Sequence, residues 1–246
     1  MSDFDHLRKR LSGLAAHRSG FAVGLRGTAG IGKTFTVLEV LNGAPCQTVS
    51  LRAVAPMAQL VQALPRPKRL AVWVERELEK PAPSLEAIMV LLTGLAPVVV
   101  HVEDLHEAAP AQLEVWQALA RAVTRSRGLA IMATSRVSLP EPFETFTLEP
   151  LSEAASVQLL ERKVGASLPP EASDWIQARA AGNPLFTLEL LAFLTRRGFL
   201  WSDGSHWHWR VPNRDALPVT VEAMIPGFLE KTENRLRNFL ENGVFV

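Results

Sequence analysis

Apolar positions along this chain follow two rhythms, and the rhythms alternate. Leu7, Leu11 and Leu14 recur at three- to four-residue spacing, which predicts a short amphipathic helix over Asp5–Arg18. A continuous apolar run, Gly20–Leu25 (GFAVGL), follows and enters a glycine-rich segment directly. From Lys33 the run FTVLEVL is helical again and stops at Asn42-Gly43, residues suited to a helix end. Cys46–Leu51 (CQTVSL) reads as a second strand and Pro56–Leu64 as a helix, while Leu70–Val74 fits a third strand or an early helical turn equally. Ser84 offers a hydroxyl N-cap to a helix running through Leu92 to Gly94. Pro97–Val102 (PVVVHV) is short, valine-rich and almost wholly apolar, the pattern of a strand buried on both faces of a parallel sheet. Pro110–Arg127 then sets Leu113, Trp116, Leu119, Ala120 and Val123 at helical spacing. Leu129–Thr134 (LAIMAT) is the next buried strand, and Phe143–Leu148 completes the sheet.

Strands separated by helical segments imply βαβ units and an α/β fold with a doubly wound parallel sheet. The character changes near Pro150. Glu153–Val164, Glu171–Ala181 and Pro184–Arg197 all have helical periodicity with no buried strand between them. Phe199–Val211 (FLWSDGSHWHWRV) reads as a β-hairpin, two aromatic-rich arms around Asp203-Gly204, and Val219 to Phe239 is helical again. The expected organisation is an α/β core over 1–150, a helical lid lobe over 151–198 and a hairpin with a partial further region over 199–246.

Composition narrows the class. Of 246 residues, 48% are hydrophobic and 21% charged, enough for a sizeable core and too little charge for wholesale disorder. A formal net charge of +1 gives no support to a globally basic, nucleic-acid-binding surface. One cysteine, Cys46, excludes an internal disulfide and a multi-cysteine zinc site and fits a reducing setting. The start, MSDFDHLRKRLSG, carries charge where a signal peptide needs an apolar run, and apolar stretches such as Leu95–Val102 are too short to span a bilayer. A soluble, cytoplasmic protein with no membrane partner is expected.

The chemistry concentrates in three places. Gly27, Gly32, Lys33 and Thr34 meet the spacing Gly-x-x-x-x-Gly-Lys-Thr within GTAGIGKT, between an apolar strand and a helix. A triphosphate is answered there by backbone N–H groups at a helix mouth, and glycines at 27, 30 and 32 let the backbone approach without a Cβ. Lys33 supplies positive charge for the β- and γ-phosphates and Thr34 a hydroxyl ligand for magnesium. Thr28, Ala29, Ile31 and Phe35 complete the expected binding segment. The bland alternative, a chance glycine turn before a helix, does not account for the flanking strand and helix. Second, the strand VVVHVED ends in Glu103 and Asp104, carboxylates at the carboxyl edge of the sheet, where one acid binds magnesium and a neighbour polarises water. We assign the metal to Thr34 and Glu103 and the catalytic role to Asp104 or Glu103; the competing reading is a solvated charge pair. Third, Thr134, Ser135 and Arg136 end the next strand on the same edge, where a hydroxyl or a two-pronged guanidinium can contact the γ-phosphate. His101, inside its strand, reads as a packed core histidine.

In this order GTAGIGKT, VHVEDLHEAAP, IMATSR, LEPLSEAASVQLL and AGNPLFTLELLAFL resemble STAND-class NTPases of the AAA-like superfamily. The closer likeness is to the ATPase modules of large bacterial transcriptional regulators and cyclase-associated signalling proteins. The resemblance covers about Phe21 to Gly198. It implies ATP rather than GTP, which spacing alone does not separate, with Arg136 as a sensor arginine. It also implies that Gly182-Asn183-Pro184 opens a lid helix, with Pro184 near the adenine and ribose. Leu217-Pro218-Val219-Thr220 and Phe239–Val246 look like the opening of a winged-helix region. Three departures stand out: Glu103-Asp104 replaces a pair of aspartates, no Gly-Arg-Glu motif precedes the first helix, and relatives continue past the position of Val246.

The reading that follows is a magnesium-dependent switch that binds ATP or ADP, hydrolyses ATP slowly and works through a protein partner or self-association. A nucleotide-sensing scaffold without hydrolysis and a small-molecule kinase are the alternatives within the nucleotide class. A DNA-associated ATPase is a further one, because Trp201, His206, Trp207, His208, Trp209 and Arg210 could stack bases on the hairpin. Against that, alternation sets Trp207 and Trp209 on one face, suited to packing on the lobe.

Overall fold

In the computed structural model, the described residues are 3–16, 19–55 and 57–212. The expectations for Leu217–Thr220, Val219–Phe239 and the winged-helix opening therefore lie outside them, as do Arg18 and Pro56 at the ends of two expected helices. Five strands form one wholly parallel sheet: β1 (Phe21–Arg26), β2 (Gln47–Arg52), β3 (Val98–Glu103), β4 (Leu129–Ser135) and β5 (Glu144–Thr147), in the order β2-β3-β4-β1-β5. Parallel neighbours need crossovers, and helices supply them on both faces. The expected α/β class with a parallel sheet is what forms.

The valine run of β3 is explained by what covers each face. Val98, Val100 and Val102 pack into one core with Ile88, Leu91 and Leu92 of α5 (Leu85–Leu95) and with Trp116, Leu119 and Val123 of α6 (Pro110–Thr124). Val99 points the other way, into a second core with Phe21, Val23 and Leu25. There it meets Leu7, Leu11 and Leu14 of α1 (Asp3–Ala15) and Val37 and Val40 of α2 (Lys33–Leu41). Trp116, fully buried, also donates its indole N–H to the Ala53 carbonyl at 3.1 Å, which ties α6 to the end of β2. Ser84 caps α5 as anticipated, its hydroxyl accepting from Ala87 N. The undecided stretch from Leu70 resolves as a helix: α4 covers Val72–Leu78, after α3 (Met57–Ala63). Arg10 of α1 pairs with Glu144 and lies 4.3 Å above the Phe21 ring.

The chain divides into two compact units, the first ending at Leu148 and the second beginning at Glu149. In the second, α7 (Glu153–Val164), α8 (Pro170–Ala180) and α9 (Pro184–Arg196) enclose Leu160, Ile176, Leu190 and Leu194. A hairpin of β6 (Leu200–Ser202) and β7 (Trp207–Trp209) lays Leu200, Trp207 and Trp209 against that core, so the packing role expected of the two tryptophans is realised. Among the described residues no helix is long and apolar enough to cross a membrane.

His101 sits in the middle of β3 on the α2 face, fully buried, with Nδ1 3.1 Å from the Ser50 hydroxyl. Burial pushes its pKa down from 6.5 to about 4, so the folded state holds it neutral. The unfolded chain binds this proton first, so the contribution is complete above pH 6.5 and is lost as pH falls towards 4. At 1.36 kcal/mol per unit this amounts to about 3 kcal/mol. Urea unfolding of the nucleotide-free protein across that window is expected to show the loss, and His101→Leu to remove that share of it. Parallel pH profiles for the two proteins would refute the assignment.

Candidate functional site

At the end of β1 the Gly27 amide donates to the Ser135 carbonyl of β4 at 3.1 Å, and the chain then turns back on itself. Two left-handed positions make the turn, Gly30 (φ 76°) and Gly32 (φ 97°), both unstrained only for glycine. Gly27 is needed for a different reason: a Cβ there would lie 2.6 Å from the Ile31 side chain and 3.4 Å from the Leu148 carbonyl. Ile31, itself buried, thus acts as the loop's plug. Gly32 occupies the N-cap of α2 and has no side chain to cap it, so the first amides of the helix have no intrahelical acceptor.

Lys33, the first residue of α2, is only 8% exposed. Its ammonium donates to the carbonyls of Gly27 (2.9 Å) and Thr28 (3.0 Å), two of its three N–H groups. Burial lowers its pKa; the Asp104 carboxylate opposes this and the Arg136 guanidinium adds to it. Asp104 and Arg136 therefore both act on Lys33 through space. The loop pairs a desolvated ammonium with orphan amides, a donor set that suits phosphate oxygens.

The acidic end is built across three strands. Alternation along β3 puts Val99, His101 and Glu103 on the α2 face, and the register places Arg52 of β2 beside Glu103. Arg52 also pairs with Glu107 at 3.0 Å. Asp104 adopts a left-handed backbone (φ 50°) and opens a 3-10 turn over Leu105–Glu107, with Leu105 fully buried as its anchor. The Asp104 amide donates to the Thr134 hydroxyl at 3.0 Å. Ser135 spends its hydroxyl on Val137, donating to the carbonyl at 2.6 Å and accepting from the amide at 3.1 Å. The Ser135 hydroxyl is thus engaged both as donor and as acceptor, the Thr134 hydroxyl accepts from Asp104, and Arg136 is exposed. The turn brings in a residue that sequence reading missed. His106 Nδ1 accepts from the Arg136 amide at 3.4 Å and lies 3.9 Å from the Asp104 carboxylate.

Gly27–Thr34, Glu103, Asp104 and Arg136 thus gather on the carboxyl edge of one sheet. β4 stands between β1 and β3, so loop and acids are separated by two strand spacings, roughly 10 Å. Thr34 is half-buried and Phe35 largely exposed. Among the described residues no group of three or more His, Cys, Asp or Glu could hold a metal ion. Thr34 and Glu103 supply oxygen donors of the kind magnesium takes, and a magnesium site there would be completed by phosphate and water.

Asn183 and Pro184 lie in the second unit, and the Gly182-Asn183-Pro184 trio has structural reasons of its own. Gly182 is left-handed (φ 74°), and a Cβ there would lie 2.5 Å from the Leu151 carbonyl. Its carbonyl accepts from Leu151 N at 2.8 Å. Asn183 caps α9 by accepting from Leu185 N (3.1 Å) and Phe186 N (3.3 Å), and Pro184 occupies the first turn, where no N–H is needed. On the hairpin, Trp201 is 43% exposed and stacks on His208 with ring centroids 5.5 Å apart; the outward aromatic is Trp201, not Trp207.

No protein-family model matches the chain, and no curated protein matches it by sequence. Solved structures do. The structure of Drosophila ORC bound to DNA matches with a TM-score of 0.57 at 17% identity, over 80% of this chain and 55% of that one. Cdc6p from Pyrobaculum aerophilum matches at 0.51 and 13%, over 78% and 60%. Domain III of the Thermotoga maritima replication initiation protein DnaA matches at 0.51 and 13%, over 94% of both chains. The chain spans little more than half the length of the first two. The chain shares the fold of these structures, an α/β core on a five-stranded parallel sheet.

Gly182→Ala is expected to destabilise the second unit by at least about 2 kcal/mol, through left-handed strain plus the clash with Leu151. Gly165→Ala, with the same φ of 74° and open space around it, should lose only the strain, about 1 kcal/mol. Equal shifts in thermal unfolding would contradict the close approach of Leu151 as the cause.

Proposed function

We propose that this chain is a magnesium-dependent ATP-binding switch that hydrolyses ATP slowly. The observation that carries the proposal is the buried Lys33 ammonium, held by the carbonyls of its own loop and sharing the field of Asp104 and Arg136. In this reading Lys33 and the α2 amides bind the β- and γ-phosphates. Thr34 and Glu103 hold magnesium, which would offset phosphate charge. Asp104, or Glu103 if the two exchange roles, orients and deprotonates the attacking water, and Arg136 registers the γ-phosphate. The preference for ATP, the nucleotide-contacting role of Pro184, and a STAND-type signalling or transcription-regulating setting with a protein partner or self-association rest on the sequence resemblance. The fold is compatible with all of these.

Lys33→Ala should weaken binding of a fluorescent ATP analogue at least about tenfold, because one charge-assisted contact contributes roughly 1.5–3 kcal/mol. The Glu103→Gln, Asp104→Asn double variant should bind nucleotide yet release no phosphate. Wild-type phosphate release no greater than that variant's, both at background, would instead select the non-hydrolysing scaffold. Unimpaired binding by Lys33→Ala would count against this loop as the phosphate site, and no binding by the wild type at millimolar nucleotide and magnesium would end the nucleotide reading.

The Trp201–His208 stack favours a second reading, an ATPase that also contacts single-stranded nucleic acid. If so, hydrolysis is stimulated by an oligonucleotide and Trp201→Ala abolishes the stimulation while Trp201→Phe retains it. An oligonucleotide without effect on the wild type removes this reading.

A further inference from the structure

The turn after β3 is fastened to the tip of β4 at two points. One strap is the Asp104 amide donating to the Thr134 hydroxyl at 3.0 Å; the other is the Arg136 amide donating to His106 Nδ1 at 3.4 Å. The straps run in opposite directions, from backbone of the first segment to side chain of the second, and from backbone of the second to side chain of the first. A single hydrogen bond would leave the turn free to pivot about it. Two, spaced two residues apart on each segment, lock 104–106 to 134–136. His106 is well placed to form the second strap, because its side chain is 14% exposed and Leu105, fully buried, anchors the turn that carries it. Accepting through Nδ1 places the proton of the neutral ring on Nε2.

We propose that His106 is a positioning residue that couples the acid end of β3 to Arg136, so that the chain distinguishes ATP from ADP at both places together. The inference rests on the nucleotide reading above and adds to it the residue that joins acid and sensor. His106 itself touches neither phosphate nor metal in this scheme. Its acceptor atom holds the Arg136 backbone in place while the same ring stands 3.9 Å from the Asp104 carboxylate.

The test compares wild type, His106→Ala, His106→Asn, Arg136→Ala and the His106→Ala, Arg136→Ala double variant, each as the full chain. Affinities for ADP and for a non-hydrolysable ATP analogue, both with magnesium, are measured by calorimetry. His106→Ala should leave ADP affinity within about twofold and lower analogue affinity about tenfold, a coupling in the range seen for contacting residues. Asparagine carries a side-chain carbonyl that can take the Arg136 amide and should recover most of the loss. The double variant should be no worse than Arg136→Ala alone. An unchanged analogue-to-ADP ratio in His106→Ala, additive losses in the double variant, or no recovery in a folded His106→Asn would each overturn the coupling and leave the nucleotide reading standing. Wild type binding neither nucleotide would remove both. A measurement on the wild type guards against a variant that does not fold: nitrogen NMR at alkaline pH should find His106 with its proton on Nε2, and the opposite tautomer refutes the strap.

Discussion

A lysine that is only 8% exposed must find acceptors for its ammonium, and in this chain they are carbonyls of its own loop. That requirement organises the mouth of the sheet. The loop must curl far enough for Gly27 and Thr28 to present their carbonyls to a side chain five and six residues ahead. Gly30 and Gly32 make the curl by going left-handed, and Gly27 survives beside Ile31 only because it has no Cβ. The helix that follows starts with no side-chain cap, leaving its first amides without an intrahelical acceptor. Positive charge and backbone donors are thereby concentrated where a phosphate chain would find both.

The strand order does the rest. Placing β4 between β1, which leads into the lysine loop, and the acid-bearing β3 opens a gap of two strand spacings, spanned below by Thr134, Ser135 and Arg136. Acids set directly beside the ammonium would pair with it; at this separation Asp104 modulates Lys33 through space, with no salt bridge between them among the described residues. The tip of β4 has structural duties of its own, since Thr134 accepts from the Asp104 amide and Ser135 is bonded to Val137, while Arg136 faces outward.

Much of this was legible in the residues because it is written in local patterns. Glycine spacing between a strand and a helix, a valine run too apolar for a one-sided sheet, and Ser84 ahead of a helix each carry their cause within a few positions. What escaped was whatever local pattern does not encode. The first turn of α4 exposes Val72 and Trp73, with Val74 and Leu78 its buried apolar positions, so seven residues gave no clear period. The 3-10 turn at Leu105–Glu107 is too short to have a period at all, and His106 was hidden with it; its meaning depends on Arg136, 30 residues later. Gly182 was read through resemblance as part of a base-covering lid, whereas its backbone conformation and the nearness of Leu151 explain a glycine there without any ligand. The alternation of the hairpin, by contrast, marked Trp207 and Trp209 as the packing face, although it did not single out Trp201 as the exposed aromatic.

Nucleotide binding by this chain stands or falls on the loop amides receiving phosphate. Backbone amide spectra of the full chain, titrated with magnesium and a non-hydrolysable ATP analogue, address this residue by residue. The resonances of Gly30, Gly32, Lys33 and Thr34 should move together and saturate, while core amides such as Leu119 stay in place. Saturable changes confined to other segments, or a loop that does not respond at millimolar nucleotide, would contradict it.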